Sequence, residues 1–516
     1  MKQLILKSKI LFIVAIALMV GSCETLDEGS DGAIAAETFY SDEQTLTAGV
    51  VGLYGSLHRA VWSMEQIAHQ TGADDITSRT THSNKWVIWE ADRFARTAGN
   101  SWRNNDWWRK YKCILACNSF IQNANPPGVD ETIINDAKAN AYFLRAYCYF
   151  TLATTFGDIP MPLVPEPDLQ MSKTPKRQVL EQVISDYEYA ITWAVNERDT
   201  NGGTVNNGRV SKTAAKALLA KTYMILTGYP YNETDKWSQV KTLTNEIIDA
   251  GVYSLMDDFA HNFQEPHQIN KEVIWAHLMD RRTYTAYQNR SYGNRWGNWM
   301  DAYMEWTFFN NFPEGYRKTF TAIADNSNKY FIEHGNPIVT KFTWGTASGT
   351  NHPNAVDPVG QTFEHAWQTS NDRCVMRYSE VLLMNAEACA NLGPISQAVD
   401  NLNLVRRRGY AHGLDKQADV GALPAEFWKT PDPSIDLVSS DKDVVIDAIL
   451  AERGWEFVGE TGGNRWLDLV RHEMVAEVTE NRDPRELTLL GDPADKANWW
   501  SPIPDTEIVL NPILGD

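Results

Sequence analysis

The sequence predicts a mainly α-helical fold built from consecutive helix pairs. Its helical runs have recognisable starts and stops, and they follow one another in pairs joined by short turns. Small residues alternate with large apolar ones, as in Ala214, Ala217, Ala220 and Tyr223, which permits close approach of neighbouring helices. Such features are typical of TPR-like units, which bury their apolar faces by stacking.

The individual helices are predicted from capping residues and helix breakers. Ser41 with Gln44 three residues later resembles a capping box, Pro175 suits a first helical position, and Ser211 suits an N-cap. Glycines after apolar runs, such as Gly157 and Gly409, mark predicted ends. The predicted helices are 41 to about 61, about 107–121, 131–156, 175 onward, 211–228, 236–249, 373–392 and 396–408.

Composition limits the classes of function. The chain has 516 residues, a net charge of −19 and 19 Trp. The acidic balance argues against nucleic acid as a partner and against electrostatic attachment to anionic lipid, since both need clustered Lys and Arg. The Trp content suits a protein that handles sugars, peptides or other proteins, because indole rings are flat, apolar and able to donate a hydrogen bond.

The first 22 residues are predicted to be a lipoprotein signal peptide. Lys2, Lys7 and Lys9 precede an apolar run that is too short to span a membrane, and Gly21-Ser22 precede Cys23. This arrangement resembles a bacterial lipobox, in which the Cys becomes the lipidated N-terminus. Cleavage would remove three Lys and no acidic residue, which changes the net charge from −19 to −22. The acidic stretch 24–28 resembles a surface-export signal, so the outer face of the outer membrane is the expected location.

No metal or cofactor is predicted from the sequence. An odd number of Cys remains after Cys23, and their spacing matches neither a disulfide framework nor a zinc site. Cys113 and Cys117 are therefore interpreted as buried core residues. A structural calcium ion is possible at Asp199–Gly203, although the spacing of a twelve-residue calcium loop is not met, and a solvated turn is the preferred interpretation.

Five stretches, in order along the chain, resemble the SusD/RagB family of outer-membrane nutrient-binding lipoproteins. The first contains FLRAYCYFTLATTFGDIPM, the third RYSEVLLMNAEA, and the last PIP followed by Glu507, Asn511 and Pro512. The sequence departs from the family pattern at Gly454-Trp455, where the family usually has two Arg or similar residues. The stretches are 137–161, 208–221, 377–388, 450–471 and 502–512.

The resemblance implies four TPR-like units, an irregular ligand-binding region, no catalysis, and a SusC-like TonB-dependent transporter as partner. The predicted organisation is a signal peptide (1–22), an N-terminal TPR-like region (23–252), an irregular loop-rich ligand-binding subdomain (253–372), and a C-terminal TPR-like unit with a closing segment (373–516). The motif residues are interpreted as fold-keeping. Arg465, Asp468 and Arg471 are spaced to pair along one short helix, and Trp107, Trp108, Trp455 and Trp466 are expected in the core.

Ligand residues are predicted outside the motifs, where aromatic residues cluster. The family builds its site from the loop after the first helix and from the irregular region, which here correspond to 73–102 and 284–306, with Trp344 as a further candidate. An indole face can lie against the C–H face of a sugar, while amide and guanidinium groups bind its hydroxyls. The predicted ligand residues are Trp86, Trp89, Tyr292, Trp296 and Trp299, with Arg79, Asn84, Asn294 and Asn298 as hydrogen-bonding partners.

Three functions follow from these observations. The leading hypothesis is a surface lipoprotein that binds an oligosaccharide and delivers it to the transporter. The first alternative is a peptide-binding member of the same family, because aromatic rings also pack against peptide side chains. The second is an α-helical glycoside hydrolase, with Asp74-Asp75 or Glu452 and Glu456 as its acid and base; such an enzyme needs two carboxylates facing one cleft.

Overall fold

The computed structural model describes residues 36–61, 72–78, 86–195, 208–264, 267–279, 302–324, 335–342, 372–410, 435–460 and 464–515. Helices dominate these residues, as predicted. The α-helices are α1 (Ala36–Phe39), α2 (Glu43–Ala60), α3 (Trp86–Asp92), α4 (Ser101–Asn123), α5 (Glu131–Phe156), α6 (Lys176–Trp193), α7 (Lys212–Leu226), α8 (Trp237–Ala250), α9 (Trp306–Asn311), α10 (Tyr316–Thr321), α11 (Tyr378–Leu392), α12 (Ile395–Tyr410), α13 (Lys442–Phe457), α14 (Asn464–Arg471), α15 (Val475–Glu480) and α16 (Asp505–Leu510).

Consecutive helices pack against one another to form the scaffold. Helix α4 lies on α5, α5 on α6, α6 on α7 and α7 on α8, and the series continues through α8 against α11 and α11 against α12 and α13. Helix α5 is buried on nearly all sides, as its sequence predicts, with Phe143 and Leu144 fully buried. Each pair covers the apolar face of the next, which is how stacked helical units stabilise one another.

Short antiparallel strand pairs complete the described structure. The strands are β1 (Ile76–Ser78), β2 (Val273–His277), β3 (Ala302–Met304), β4 (Ala322–Ile323), β5 (Ile338–Val339) and β6 (Arg373–Arg377). They pair as β1 with β3, β2 with β6 and β4 with β5. Trp275 of β2 is fully buried against Phe143, so part of the predicted irregular segment 253–372 belongs to the main core. The domain boundaries stay predictions.

Several predicted boundaries are confirmed. Helix α5 has the predicted limits, and Gly157 follows it with a φ of 79°. Gly251 ends α8 in the left-handed region, with a φ of 63°, which glycine adopts at little cost. The Ser211 hydroxyl accepts a hydrogen bond from the Ala214 amide and caps α7. These ends were predictable because they depend on residues next to them in the chain.

Several predicted helix ends are wrong: α4 begins at Ser101 instead of at about 107, and others differ by one or two residues. Asp42, not Ser41, caps α2, because its carboxylate accepts from the Thr45 amide at 2.8 Å. The Thr45 hydroxyl accepts from the Asp42 amide at 3.1 Å and so takes the reciprocal role predicted for Gln44. Pro175 is the N-cap of α6 and Lys176 its first helical residue. Helix α12 continues through Gly409 to Tyr410, and the absence of a Cβ at Gly409 leaves room for the Arg317 guanidinium.

The predicted helix 373–392 is wrong over its first five residues. Residues Arg373–Arg377 form β6, and the helix begins only at Tyr378. Strand β6 gains backbone hydrogen bonds from β2, a partner about a hundred residues earlier in the chain. The extended backbone also directs Arg377 to the buried carboxylates of Glu272, Glu456 and Glu460. Neither the pairing with β2 nor the ion pairs of Arg377 can be predicted from the sequence of residues 373–392 alone.

Tryptophan and cysteine placement follows the prediction with one exception. Trp107 and Trp466 are buried, and Trp455 packs partly buried against the core. The prediction is wrong for Trp108, whose exposed fraction is 37%, because its position on α4 faces outward beside Lys112. The described cysteines are free and buried; they are Cys113, Cys117, Cys148, Cys374 and Cys389. Cys23 lies outside the described residues.

Motif residues hold the C-terminal helices together through buried ion pairs. The predicted pairing of Asp468 with Arg471 is confirmed, and Arg471 also binds Glu387, a carboxylate of α11. Arg465 differs from the prediction: it binds Asp74 with two hydrogen bonds of 2.6 Å instead of pairing along its own helix. The motif therefore connects α14 both to α11 and to the segment before β1.

Candidate functional site

The structure describes two of the nine predicted ligand residues, and both lie on α3. Trp86 is the first residue of that helix, and Trp89 is half-buried within it. The side chain of Trp86 lies outside the described residues. Seven predicted ligand residues also lie outside, in the segments 79–85 and 280–301; they are Arg79, Asn84, Tyr292, Asn294, Trp296, Asn298 and Trp299. Trp344 lies outside as well.

The pairing of β1 with β3 brings the two predicted stretches together. Ile76 faces Met304, Thr77 faces Tyr303, and Ser78 faces Ala302 in an antiparallel ribbon. Ser78 is the last described residue before 79–85, and Ala302 is the first described residue after 280–301. Both stretches therefore join the described structure at the same end of this ribbon, which we call the ribbon end (Ser78 and Ala302).

A buried polar cluster fixes the ribbon end to α3. The Asp92 carboxylate accepts hydrogen bonds from the Ser78 amide at 3.1 Å and from the Ser78 hydroxyl at 2.9 Å. Arg482 donates to the same carboxylate at 2.7 Å and is nearly buried. A buried carboxylate needs such partners, because an unpaired charge away from water is strongly unfavourable.

A second carboxylate holds the ribbon to the C-terminal segment. Glu486 accepts from the Thr77 hydroxyl at 2.8 Å, from Asn336 at 2.9 Å, and from the Trp306 amide at 3.1 Å. Burial, together with the nearby carboxylates Glu305 and Asp92, raises the pKa of Glu486 to about 7. The sequence pattern did not indicate Asp92, Arg482 or Glu486, since each has at least one partner hundreds of positions away.

The described aromatic residues near the ribbon differ in their surroundings. The Arg93 guanidinium lies 4.4 Å from the centre of the Trp89 ring, so one face of that indole is occupied. Trp306 is buried, donates its indole N–H to the Gly335 carbonyl at 3.0 Å, and has Arg485 over its ring. Tyr303 is buried within the ribbon. Trp306 and Tyr303 thus belong to the buried structure around the ribbon.

Three of the four carboxylates of the hydrolase alternative, Asp74, Glu452 and Glu456, are engaged in ion pairs. Glu456 is fully buried, and Arg408, Arg377 and Arg317 hold its pKa well below its usual range despite burial. Glu452 pairs with Arg317 at 2.7 Å. Asp74 binds Arg465, while burial raises the pKa of its neighbour Asp75 to about 7. Within these described groups, no two carboxylates face one open cleft as an acid and base would.

The described residues contain no cluster of three or more side chains suited to a metal ion. The possible calcium stretch Asp199–Gly203 lies outside them. None of the described helices combines the length and the apolar character needed to cross a membrane.

Two family models match the chain. The model described as "SusD family" matches residues 355–515, and the model described as "Starch-binding associating with outer membrane" matches residues 24–224. SusD-like protein P25 from Formosa agariphila is 25% identical over 98% of both chains, and SusD-like protein P2 from the same organism is 24% identical over 98% of both. The chain belongs to the SusD/RagB family.

Solved structures share the fold. A SusD homolog from Bacteroides thetaiotaomicron superimposes with a TM-score of 0.74 at 18% identity, covering 94% of this chain and 99% of the other. Surface glycan-binding protein A from the same organism, solved in complex with laminarihexaose, gives a TM-score of 0.68 at 19% identity over 91% and 97% of the two chains. The mainly α-helical, SusD-like architecture predicted from the sequence is therefore confirmed.

Proposed function

We propose that this protein is a non-catalytic, cell-surface lipoprotein that binds an oligosaccharide and delivers it to a SusC-like TonB-dependent transporter. The observation that carries the binding role is the ribbon end, where the two aromatic stretches predicted to contact ligand meet the described structure side by side. Membership of the SusD/RagB family and a similar fold solved with laminarihexaose support a glycan as cargo.

A fixed support for the two stretches rich in aromatic residues suits this role. Asp92, Glu486 and Arg482 hold the ribbon through buried hydrogen bonds, so these two stretches start from defined positions. A receptor that passes its cargo onward must also release it. We therefore expect a Kd in the micromolar-to-millimolar range, about −4 to −8 kcal/mol.

The decisive experiment replaces the predicted aromatic platform. A glycan array screen of the mature protein first identifies a ligand, and isothermal titration calorimetry then compares the wild type with Trp296→Ala and Trp299→Ala. We expect each substitution to weaken binding at least about fivefold, since loss of a stacked ring costs on the order of 1–3 kcal/mol. Trp108→Ala, an exposed Trp on α4, is the matched control. Unchanged titrations for both loop variants would contradict the proposed site.

Two further assays separate the alternatives. If the protein binds members of an oligopeptide library and binds no glycan on the array, the peptide-binding alternative is favoured. Release of reducing sugar from a glycan panel would favour the hydrolase, which we do not expect because three of its four candidate carboxylates are held in ion pairs.

The proposed location depends on Cys23. Intact cells should be labelled by an antibody against the mature chain, and Cys23→Ala should abolish both lipidation and surface labelling. Labelling only after lysis of wild-type cells would contradict surface exposure. Delivery requires the transporter, so a stable complex with it should co-purify from outer membranes of wild-type cells.

A further inference from the structure

A cavity lies between the C-terminal ends of α12 and α13 and the segment that joins α9 to α10, and its lining does not include Ser78 or Ala302 of the ribbon end. We call it the α12–α13 cavity; its volume is about 310 Å³, near the lower end of the range for small-ligand pockets. Its walls combine aromatic rings with charged groups. The lining residues used below are Phe312, Arg317, Arg406, Tyr410, Glu452 and Trp455.

The aromatic wall contains the residue at which the sequence departs from its family. The Trp455 ring lies almost parallel to Phe312, with 14° between the planes and 6.4 Å between the centres. Trp455 is half-buried, and Tyr410 has an exposed fraction of 38%. A Cβ at Gly454 would lie 3.3 Å from Phe308, so this glycine lets α13 approach α9. Gly454-Trp455 thus shapes one side of the cavity.

The charged wall is the edge of a buried ion-pair network. Glu452 and Arg317 are almost fully buried, and Arg317 also binds Glu456 at 2.7 Å. Among the residues that the structure describes, the ion pairs join five cations to four carboxylates. The cations are Arg317, Lys341, Arg377, Arg406 and Arg408, and the carboxylates are Glu272, Glu452, Glu456 and Glu460. The network therefore carries one excess positive charge.

Arg406 is the most exposed cation of that network. Its side chain is 20% exposed, and it donates to Glu452 at 3.5 Å and to the Ile435 carbonyl at 3.4 Å, both at the long limit for hydrogen bonds. Its Nη2 makes no hydrogen bond within the described part of the chain. The neighbouring Arg407, by contrast, is bound closely to Asp436. Arg406 thus keeps donor capacity at the cavity.

We propose that the α12–α13 cavity binds a single sugar unit that carries a carboxylate or sulfate group. The guanidinium of Arg406 matches the geometry of either anion, which would offset the excess charge of the network. The Trp455 and Tyr410 rings provide apolar surfaces for the sugar C–H face. Glu452 accepts hydroxyl donors. This site uses residues separate from the ribbon end and does not depend on the proposed aromatic platform.

The test uses the folded mature chain and four probes: glucuronic acid, glucose 6-sulfate, glucose and sodium sulfate. Saturation-transfer NMR and calorimetry should show that at least one charged sugar binds about tenfold or more tightly than glucose, and the two charged sugars distinguish carboxylate from sulfate. Arg406→Gln and Trp455→Ala should each weaken that binding about tenfold, while Arg407→Gln, the adjacent matched control, and Trp299→Ala leave it unchanged.

Several results would overturn the proposal. The first is that neither charged sugar binds at about 10 mM. The second is that Arg406→Gln and Arg407→Gln weaken binding of the charged sugar equally. The third is that sodium sulfate binds as tightly as the charged sugar and that Trp455→Ala has no effect. Unfolding temperatures identify a variant that fails to fold, and Tyr410→Ala, a change at an exposed residue, then replaces Trp455→Ala. A negative result for the α12–α13 cavity does not change the results expected from the glycan array and from the Trp296 and Trp299 variants. The two proposals are therefore judged separately.

Discussion

Single residues in this protein have roles that their neighbours in sequence do not indicate. Trp275 follows a polar loop, yet it is fully buried, with its ring centre 4.7 Å from that of Phe143 and 5.0 Å from that of Tyr147, both edge to face. Trp108 lies within the long helix α4, yet its side chain is exposed. The tryptophan content therefore divides between core and surface in a way that only packing decides.

This division gives a stability prediction. Trp275→Ala should lower the free energy of unfolding by about 3–5 kcal/mol, because it removes a large buried side chain and leaves a cavity. Trp108→Ala should change it by no more than about 0.5 kcal/mol. Urea denaturation followed by far-UV circular dichroism measures both, and similar values for the two variants would contradict the assigned burial.

At the scale of one element, the corrected N-cap of helix α2 can be tested by substitution. Asp42→Ala should lower the free energy of unfolding by about 1 kcal/mol, because the Asp42 carboxylate caps the helix by accepting from the Thr45 amide. Ser41→Ala should have little effect, since its hydroxyl makes only a 3.5 Å contact with Asp42. Thermal unfolding of the two variants decides between the caps, and a larger loss for Ser41→Ala would favour the sequence-based assignment.

The β1–β3 ribbon gives a prediction that links an element to binding. Asp92→Asn should destabilise the protein by about 3–5 kcal/mol, because it breaks a buried pair with Arg482. It should also lower glycan affinity about tenfold at temperatures where the protein is folded, since the ribbon end loses its anchor.

A matched control separates support of the site from general stability. Asp186→Asn breaks another buried pair, with Arg145 between α5 and α6, and should destabilise to a similar extent without changing glycan affinity. Calorimetric titration of both variants with the array-identified glycan makes the comparison. Equal losses of affinity would show that the ribbon has no special role.

At the scale of the whole molecule, buried carboxyls and histidines oppose one another as pH changes. Burial raises the pKa of Glu486 and of Asp75 to about 7, so the folded protein holds their protons more tightly and loses stability as pH rises from about 4.5 to 7. Burial, with Arg373 nearby, lowers the pKa of His58 to about 4 and that of His277 well below its usual value. These histidines make stability rise with pH from about 4 to 6.5.

Substitutions should expose the two opposing slopes. Glu486→Gln should make the stability of the protein rise more steeply between pH 5 and 6.5, whereas His58→Gln should make it rise less or fall. Each change is at most about 1.4 kcal/mol per pH unit, the value for one proton. Denaturant titrations at several pH values provide the slopes, and slopes that move in the same direction would contradict the pKa shifts.

The sequence determined the features that local chemistry controls. Caps, glycines and apolar periodicity located most helices, as at α5 and Ser211, and the motif stretches predicted the fold that related structures share. The same patterns singled out Gly454-Trp455 as a departure, although they gave no reason for it. The predicted ligand residues Trp296 and Trp299 lie outside the described residues and stay predictions.

Only the tertiary structure decided what depends on distant partners. Strand β6 forms because β2 supplies its hydrogen bonds, and β1 pairs with β3 across more than two hundred residues of chain. Buried charges such as Arg377 and Asp92 are stable only where their partners converge from separate segments. Those pairings depend on burial and on three-dimensional distance, which local sequence patterns do not encode.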